Sequence, residues 1–130
     1  MIALHHVQVA CPPGGEEAAR RFYAEGLGLT EVEKPVALQG RGGAWFRGYD
    51  APGTVAAEVH VGVEEPFAPA RKAHPAFLVD DLDAIAGSLV AAGFEVDDRE
   101  SDTFSGYRRF HTHDGAGNRV EVLQRIAGLT

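Results

Sequence analysis

The chain repeats itself. A strand, a helix, a glycine and then about three strands run from His6 to Val63, and the same order returns from His74 to Leu123. His6 answers to His74, Phe22 to Leu89 and Gly26 to Gly93, an offset of about 67 residues. A fixed internal period restricts the fold to two copies of one supersecondary unit. Each half holds roughly 60 residues, too few to bury an adequate core alone, so the two units are expected to share one sheet system. Between them, EEPFAPARKA at 64–73 carries two prolines and four charges and reads as a surface linker. The 130 residues are thus one domain, with module one at about 1–63 and module two at about 74–130.

The elements follow from periodicity. Alternation with period two marks strands at His5–Val9, Ala56–Val63, His74–Val79 and Arg119–Leu123, with weaker patterns at Ala44–Tyr49 and Tyr107–His113. Ala18, Ala19, Phe22 and Tyr23 form an apolar helical stripe over Glu16–Glu25, and Leu82, Ile85, Ala86, Leu89 and Val90 another over Asp81–Ala92. Asp80 or Asp81 is the cap of the second helix, and Gly26 and Gly93 are expected to close the two helices in the left-handed conformation. The acid-rich DDRESDTFSG at 97–106 has no period and reads as a loop, taken here as a connector.

Charge and composition exclude several classes. Twelve Lys and Arg stand against 19 Asp and Glu, a net charge of −7, so no basic stripe remains for nucleic acid or for an anionic membrane surface. No apolar run is long enough to span a bilayer. The lone Cys11 requires no oxidising compartment, and the start, MIALHHVQVACPP, does not read as a signal peptide. A cytoplasmic location is expected. No glycine-rich phosphate loop follows a strand–helix junction, and no nucleophile elbow is present.

Five strings carry a resemblance: LHHVQV near the start, ARRFYAEGLGL at 19–29, EVHVGV at 58–63, HPAFLVDDLDAIAGSLVAAGF at 74–94 and RRFHTHDGAGNRVEVL at 108–123. In this order and spacing the chain resembles the vicinal oxygen chelate superfamily, which includes glyoxalases, bleomycin-resistance proteins and extradiol dioxygenases. The resemblance implies an α+β fold of two βαβββ modules whose sheets curl into a U around a cavity, usually in a homodimer. It also implies a divalent metal held by His6, Glu58, His74 and Glu121. One departure is visible: the turn that commonly reads Asp-Pro-x-Gly-Asn is Asp114-Gly115-Ala116-Gly117-Asn118, an exchange expected to loosen the turn without touching the site.

The residues agree with that carry-over. If the apolar faces of the strands cover the helices, the opposite faces, which hold these four side chains, line the cavity. Unpaired imidazoles and carboxylates there would be costly, and a shared cation accounts for all four. Two His and two carboxylates suit Fe, Mn, Ni, Co or Zn, with positions left for a substrate's oxygens. His60 lies on the same face as Glu58, and either could complete the shell. His5 falls on the opposite face with Val7 and Val9 and is read as structural. His111 and His113 either line the cavity mouth or are solvated. Trp45 and Arg47 are candidates for a substrate wall and an anion clamp, against a core aromatic and a surface arginine, and Arg108 and Arg109 are open in the same way. The favoured reading is a glyoxalase-like metalloenzyme acting on a small oxygenated molecule, with Glu58 or Glu121 moving a proton. The alternatives are a metal-free binding or resistance protein of the bleomycin-resistance type and a small dioxygenase.

Overall fold

The computed structural model describes residues 1–126; the last four residues assigned to module two, 127–130, lie outside the described residues. In chain order the elements are β1 (Val7–Cys11), α1 (Glu16–Arg20), β2 (Thr30–Val32), β3 (Ala44–Tyr49), β4 (Val55–Val63), β5 (Ala76–Leu78), α2 (Leu82–Ala91), β6 (Tyr107–His113) and β7 (Arg119–Arg125). The architecture is the expected α+β. The strands form a four-stranded sheet in the order β1-β4-β3-β2 and a three-stranded one in the order β5-β7-β6. In each, the module's first strand runs parallel to its last, and the remaining neighbours are antiparallel.

The two halves share a core and not a ladder, which corrects the expectation of one sheet system. Phe22, Tyr23, Phe46 and Val59 from the first half pack in one buried cluster with Leu89, Phe110, Val120 and Val122 from the second. The second sheet is also a strand short. Where the repeat calls for a strand after α2, only an isolated bridge between Asp97 and His111 forms, because the segment that follows is the acid-rich loop.

The helices show what the periodicity could and could not place. Asp81 caps α2, its side chain accepting from the Ala84 N–H at 3.0 Å, and Gly93 beyond its end is left-handed (φ 97°). The first helix departs from expectation. It is α-helical only over Glu16–Arg20 and then widens into π-helical turns over Arg21–Gly26. Gly26 is not left-handed; Gly28 (φ 79°) takes that conformation. What requires glycine at 26 is close packing, since a Cβ there would stand 2.6 Å from a methyl carbon of Leu89 on α2.

A buried polar turn ties the halves together. The Tyr23 hydroxyl, on the π-helical segment, donates to Asp114 at 2.7 Å. The same carboxylate accepts from the Ala116 and Asn118 backbone N–H groups and from Asn118 Nδ2. Asn118 in turn donates to the Ala10 carbonyl on β1 at 2.7 Å and accepts the Ala70 N–H from the linker at 2.9 Å. The glycine at 115 is explained by the same seating: a Cβ would lie 2.4 Å from the Ala18 carbonyl oxygen, so its absence lets α1 sit on the turn.

Burial and the neighbouring Asp114 charge hold the Tyr23 hydroxyl well above its ordinary value. A group whose pKa is raised on folding stabilises the fold fully below its unfolded value and loses that stabilisation as pH rises beyond it, here above about 10. Tyr23→Phe is expected to cost about 1.5–3 kcal/mol at neutral pH, the range for a hydrogen bond to a charged group. It should also flatten the loss of stability above pH 10. Urea melts at pH 7 and in the alkaline range check both; an unchanged alkaline limb would show that another group drives it.

Candidate metal centre

Each sheet presents a row of polar side chains. In the first, β1 pairs with β4 so that Gln8 lies opposite His60, and β3 pairs with β4 so that Trp45 lies opposite His60 and Arg47 opposite Glu58. In the second, Ala76 lies opposite Glu121, and Glu121 lies opposite His111 on β6. Gln8 and Ala76 each stand two residues after the repeat's histidine, His6 or His74. By register, therefore, His60 and not Glu58 is the counterpart of Glu121, and Trp45 is the counterpart of His111. The sequence left Glu58 and His60 as alternatives because both lie on one face of one strand; only the pairing register distinguishes them.

In the first sheet the charges are satisfied among themselves. Glu58 and His60 are both buried, at 7% and 6% exposure. His60 Nε2 lies 2.6 Å from one Glu58 oxygen, and Arg47 Nε donates to the other at 2.8 Å. The His60 bond, with the Arg47 bond and charge, holds the Glu58 carboxyl below its ordinary range, while burial pushes His60 down. His60 is thus a neutral imidazole donating its Nε2–H to an ionised carboxylate. Its ring is sandwiched: Trp45 stacks on it with centroids 3.6 Å apart and planes 2° from parallel, and His6 stacks at 4.0 Å. His5 Nδ1 lies 3.0 Å from His6 Nδ1, so His5 contacts the candidate ligand that it adjoins.

The second sheet is different. His74 Nε2 lies 3.0 Å from Glu121 Oε1, and His111 Nε2 is 3.8 Å from the same oxygen. One donor atom from each of His74, His111 and Glu121 falls within a sphere of mutual distances no greater than 4.8 Å. The Lys72 carbonyl sits 2.8 Å from His74 Nδ1 and takes the proton there. That fixes the tautomer and turns the Nε2 lone pair toward a carboxylate oxygen. Two acceptors at 3.0 Å require a positive charge between them, either a proton or a metal ion. Metal–ligand bonds of about 2.1 Å at a right angle span about 3.0 Å, so the pair fits one edge of a metal polyhedron. The residues present therefore fit a divalent cation, and imidazole with carboxylate matches the borderline metals.

Not all of the expected residues meet. His74 and Glu121 are together; His6 and Glu58 belong to the first sheet's network, although both line a cavity of about 330 Å³ that His74 also lines. His111, read from sequence as either lining the cavity mouth or solvated, is buried and joins the His74–Glu121 group, and burial pushes its imidazole down. Arg109 was left open in sequence. It donates to Glu121 Oε2 at 3.3 Å, to Thr103 Oγ1 at 2.8 Å and to the Glu100 carbonyl at 3.3 Å, and it faces the Phe104 ring. The signal for both was present: positions 109 and 111 of RRFHTH share one face of β6, and that face looks at Glu121. The acid-rich segment is thus fastened to the site through Arg109. Arg109→Met is expected to accelerate amide exchange over Glu100–Gly106 several-fold while leaving β4 unchanged. Equal exchange in both proteins would show that the segment holds itself.

Comparison with known proteins bears on these clusters. The family model described as Glyoxalase/Bleomycin resistance protein/Dioxygenase superfamily matches residues 3–122. Among solved structures, a protein from Bacillus anthracis assigned to the glyoxalase family is 40% identical, with a TM-score of 0.84 and 97% of each chain covered. A variant of the fosfomycin resistance protein FosX from Listeria monocytogenes, solved with Mn(II) and 1S,2S-dihydroxypropylphosphonic acid, is 16% identical with a TM-score of 0.71, covering 98% of this chain and 95% of that one. TnmS3, an antibiotic binding protein from Streptomyces sp. CB03234, is 22% identical with a TM-score of 0.62, covering 97% of this chain and 100% of that one. The last two establish likeness of fold alone. No curated protein matches.

Proposed function

Because the chain belongs to the Glyoxalase/Bleomycin resistance protein/Dioxygenase superfamily, we propose that it is a metal-dependent enzyme of the glyoxalase type acting on a small oxygenated molecule. The observation that carries this reading is the 3.0 Å approach of His74 Nε2 to Glu121 Oε1, with the Nδ1 proton directed to Lys72 and His111 beside them. His74 and Glu121 hold the ion, and His111 and His6 are the candidates to complete its shell. A divalent ion there supplies Lewis acidity toward neighbouring substrate oxygens.

The chain's own residues divide the remaining work. Arg109 anchors the Glu121 oxygen that does not face His74, which fixes the carboxylate's orientation. Glu58, ionised and held in place by His60 and Arg47, is the group placed to accept a proton. A carboxyl held below its ordinary range is a weak base, so this role suits an already acidified proton. A metal-free sequestering protein is the competing reading. Among the described residues no helix is long and apolar enough to cross a membrane.

Divalent metal is expected to raise the melting temperature of chelator-treated protein, since an ion that binds only the native state stabilises it by mass action. His74→Ala and Glu121→Ala should each remove most of that response, His111→Ala and His6→Ala identify which residue completes the shell, and a His5→Ala protein should respond as the parent does. Scanning fluorimetry with Mn(II), Ni(II), Co(II) and Zn(II) checks this. No response in the parent, or an equal one in His74→Ala and Glu121→Ala, leaves the sequestering protein as the better reading.

The chain is also proposed to work as a homodimer. Met1, Ile2 and Leu4 stand almost wholly exposed beside His6, an apolar stretch that a second copy could cover. Light scattering at micromolar concentration should return twice the 13.9 kDa chain mass; the single mass overturns it.

A further inference from the structure

Three cations of the first module, Arg21, Lys34 and Arg41, make no ion pair among the described residues, and two of them, Lys34 and Arg41, face one pocket. The turn between β2 and β3 (Val36–Arg41) overhangs the polar face of the first sheet and encloses a cavity of about 220 Å³. Gln8, Trp45 and His60 form its floor, and Lys34, Leu38 and Arg41 its wall. Neither Lys34 nor Arg41 makes an ion pair with a carboxylate among the described residues. Glu16 reaches the same turn and feels the Lys34 charge, but its carboxylate accepts the Gly43 N–H at 3.0 Å and makes an ion pair with neither cation. Lys34 donates to the Gly42 carbonyl, which holds its ammonium at the turn and leaves its other N–H groups free. On a chain of net charge −7, two cations outside any ion pair converging on one concave site need a reason.

Arg47, the anion clamp expected from sequence, gives its Nε–H to Glu58 at 2.8 Å and does not line this pocket. We infer that this pocket seats an oxyanion end group of the substrate, a carboxylate or a phosphate, with Lys34 and Arg41 as its donors and the flat Trp45–His60 stack as the wall for the adjoining carbons. Its volume suits a small end group and excludes a nucleotide. The pocket communicates with the proposed reaction site through His60, which is bonded to Glu58; Glu58 lines the 330 Å³ cavity shared with His74. The inference rests on the metalloenzyme reading only in placing the rest of the molecule there. Anion binding itself requires no metal.

The single tryptophan of the chain is Trp45, which lines this pocket, so its fluorescence reports on occupancy there. Chelator-treated protein is titrated with inorganic phosphate and, separately, with sodium acetate, at ionic strength held constant with sodium chloride. A saturable change is expected with at least one of them, and the tighter of the two assigns the end group as phosphate or carboxylate. Lys34→Gln and Arg41→Gln should each weaken binding about tenfold, as loss of one charge-assisted hydrogen bond does. Arg125→Gln, far along β7, should leave it unchanged. Both cations lie on a surface turn, and circular dichroism checks that the variants fold. No saturable change with either anion, or undiminished binding in the Lys34→Gln/Arg41→Gln double variant, overturns the inference. Because the titration is done without metal, that failure is distinct from a failure of the metal-binding test.

Discussion

The Asp114 carboxylate is the constraint on which the relation between the two modules depends. The sheets are not hydrogen-bonded to one another, and apolar packing alone is non-directional, so it cannot fix how one module is set against the other. Asp114 and Asn118 supply the direction. Through them the turn between β6 and β7 grips the π-helical segment at Tyr23, β1 at Ala10 and the linker at Ala70. All of these groups are matched, and no buried side-chain nitrogen or oxygen among the described residues lacks a partner. The same turn joins the strands that carry His111 and Glu121, so the joint between modules and the candidate metal centre are one structural unit.

Much of this was legible in the sequence, for identifiable reasons. Strands that bury one face and expose another to a polar environment must alternate, so the spans at Ala44–Tyr49 and Tyr107–His113 coincide with the observed ones. The Asp81 cap and the Gly93 stop are local devices whose residue types reveal them. The family resemblance likewise rested on short strings that each half needs for its own folding, and the family match covers nearly the same span.

What was not legible is long-range. Register decides that His60, and not Glu58, stands where Glu121 stands in the other module, and register is a relation between strands more than fifty residues apart in the first sheet. Gly26 was expected to serve its own helix end, yet its lack of a side chain serves Leu89 on the other helix. Gly115 shows the same logic. Read locally it loosens a turn; in the fold it admits the backbone of α1. The missing strand after α2 also follows from context, since its place is taken by a segment fastened through Arg109 to Glu121.

The two modules place the same kinds of residue on corresponding strands and arrange them differently. In the first, a neutral His60 donates to an ionised Glu58, Arg47 balances the charge, and the network is complete without a ligand. In the second, His74 directs Nδ1 to a backbone carbonyl and sets Nε2 3.0 Å from Glu121 Oε1, a gap that a proton or a metal ion bridges, while Arg109 holds the other Glu121 oxygen. A repeat that began with two equivalent polar faces thus has a natural division of labour. The self-sufficient face can remain rigid and offer a flat aromatic wall, whereas the face that leaves a gap between His74 and Glu121 is where an ion finds ligands. The Glu58–His60 pair stands beside the cavity that both faces share, close enough to exchange a proton with what is held there and already compensated enough not to compete for the metal.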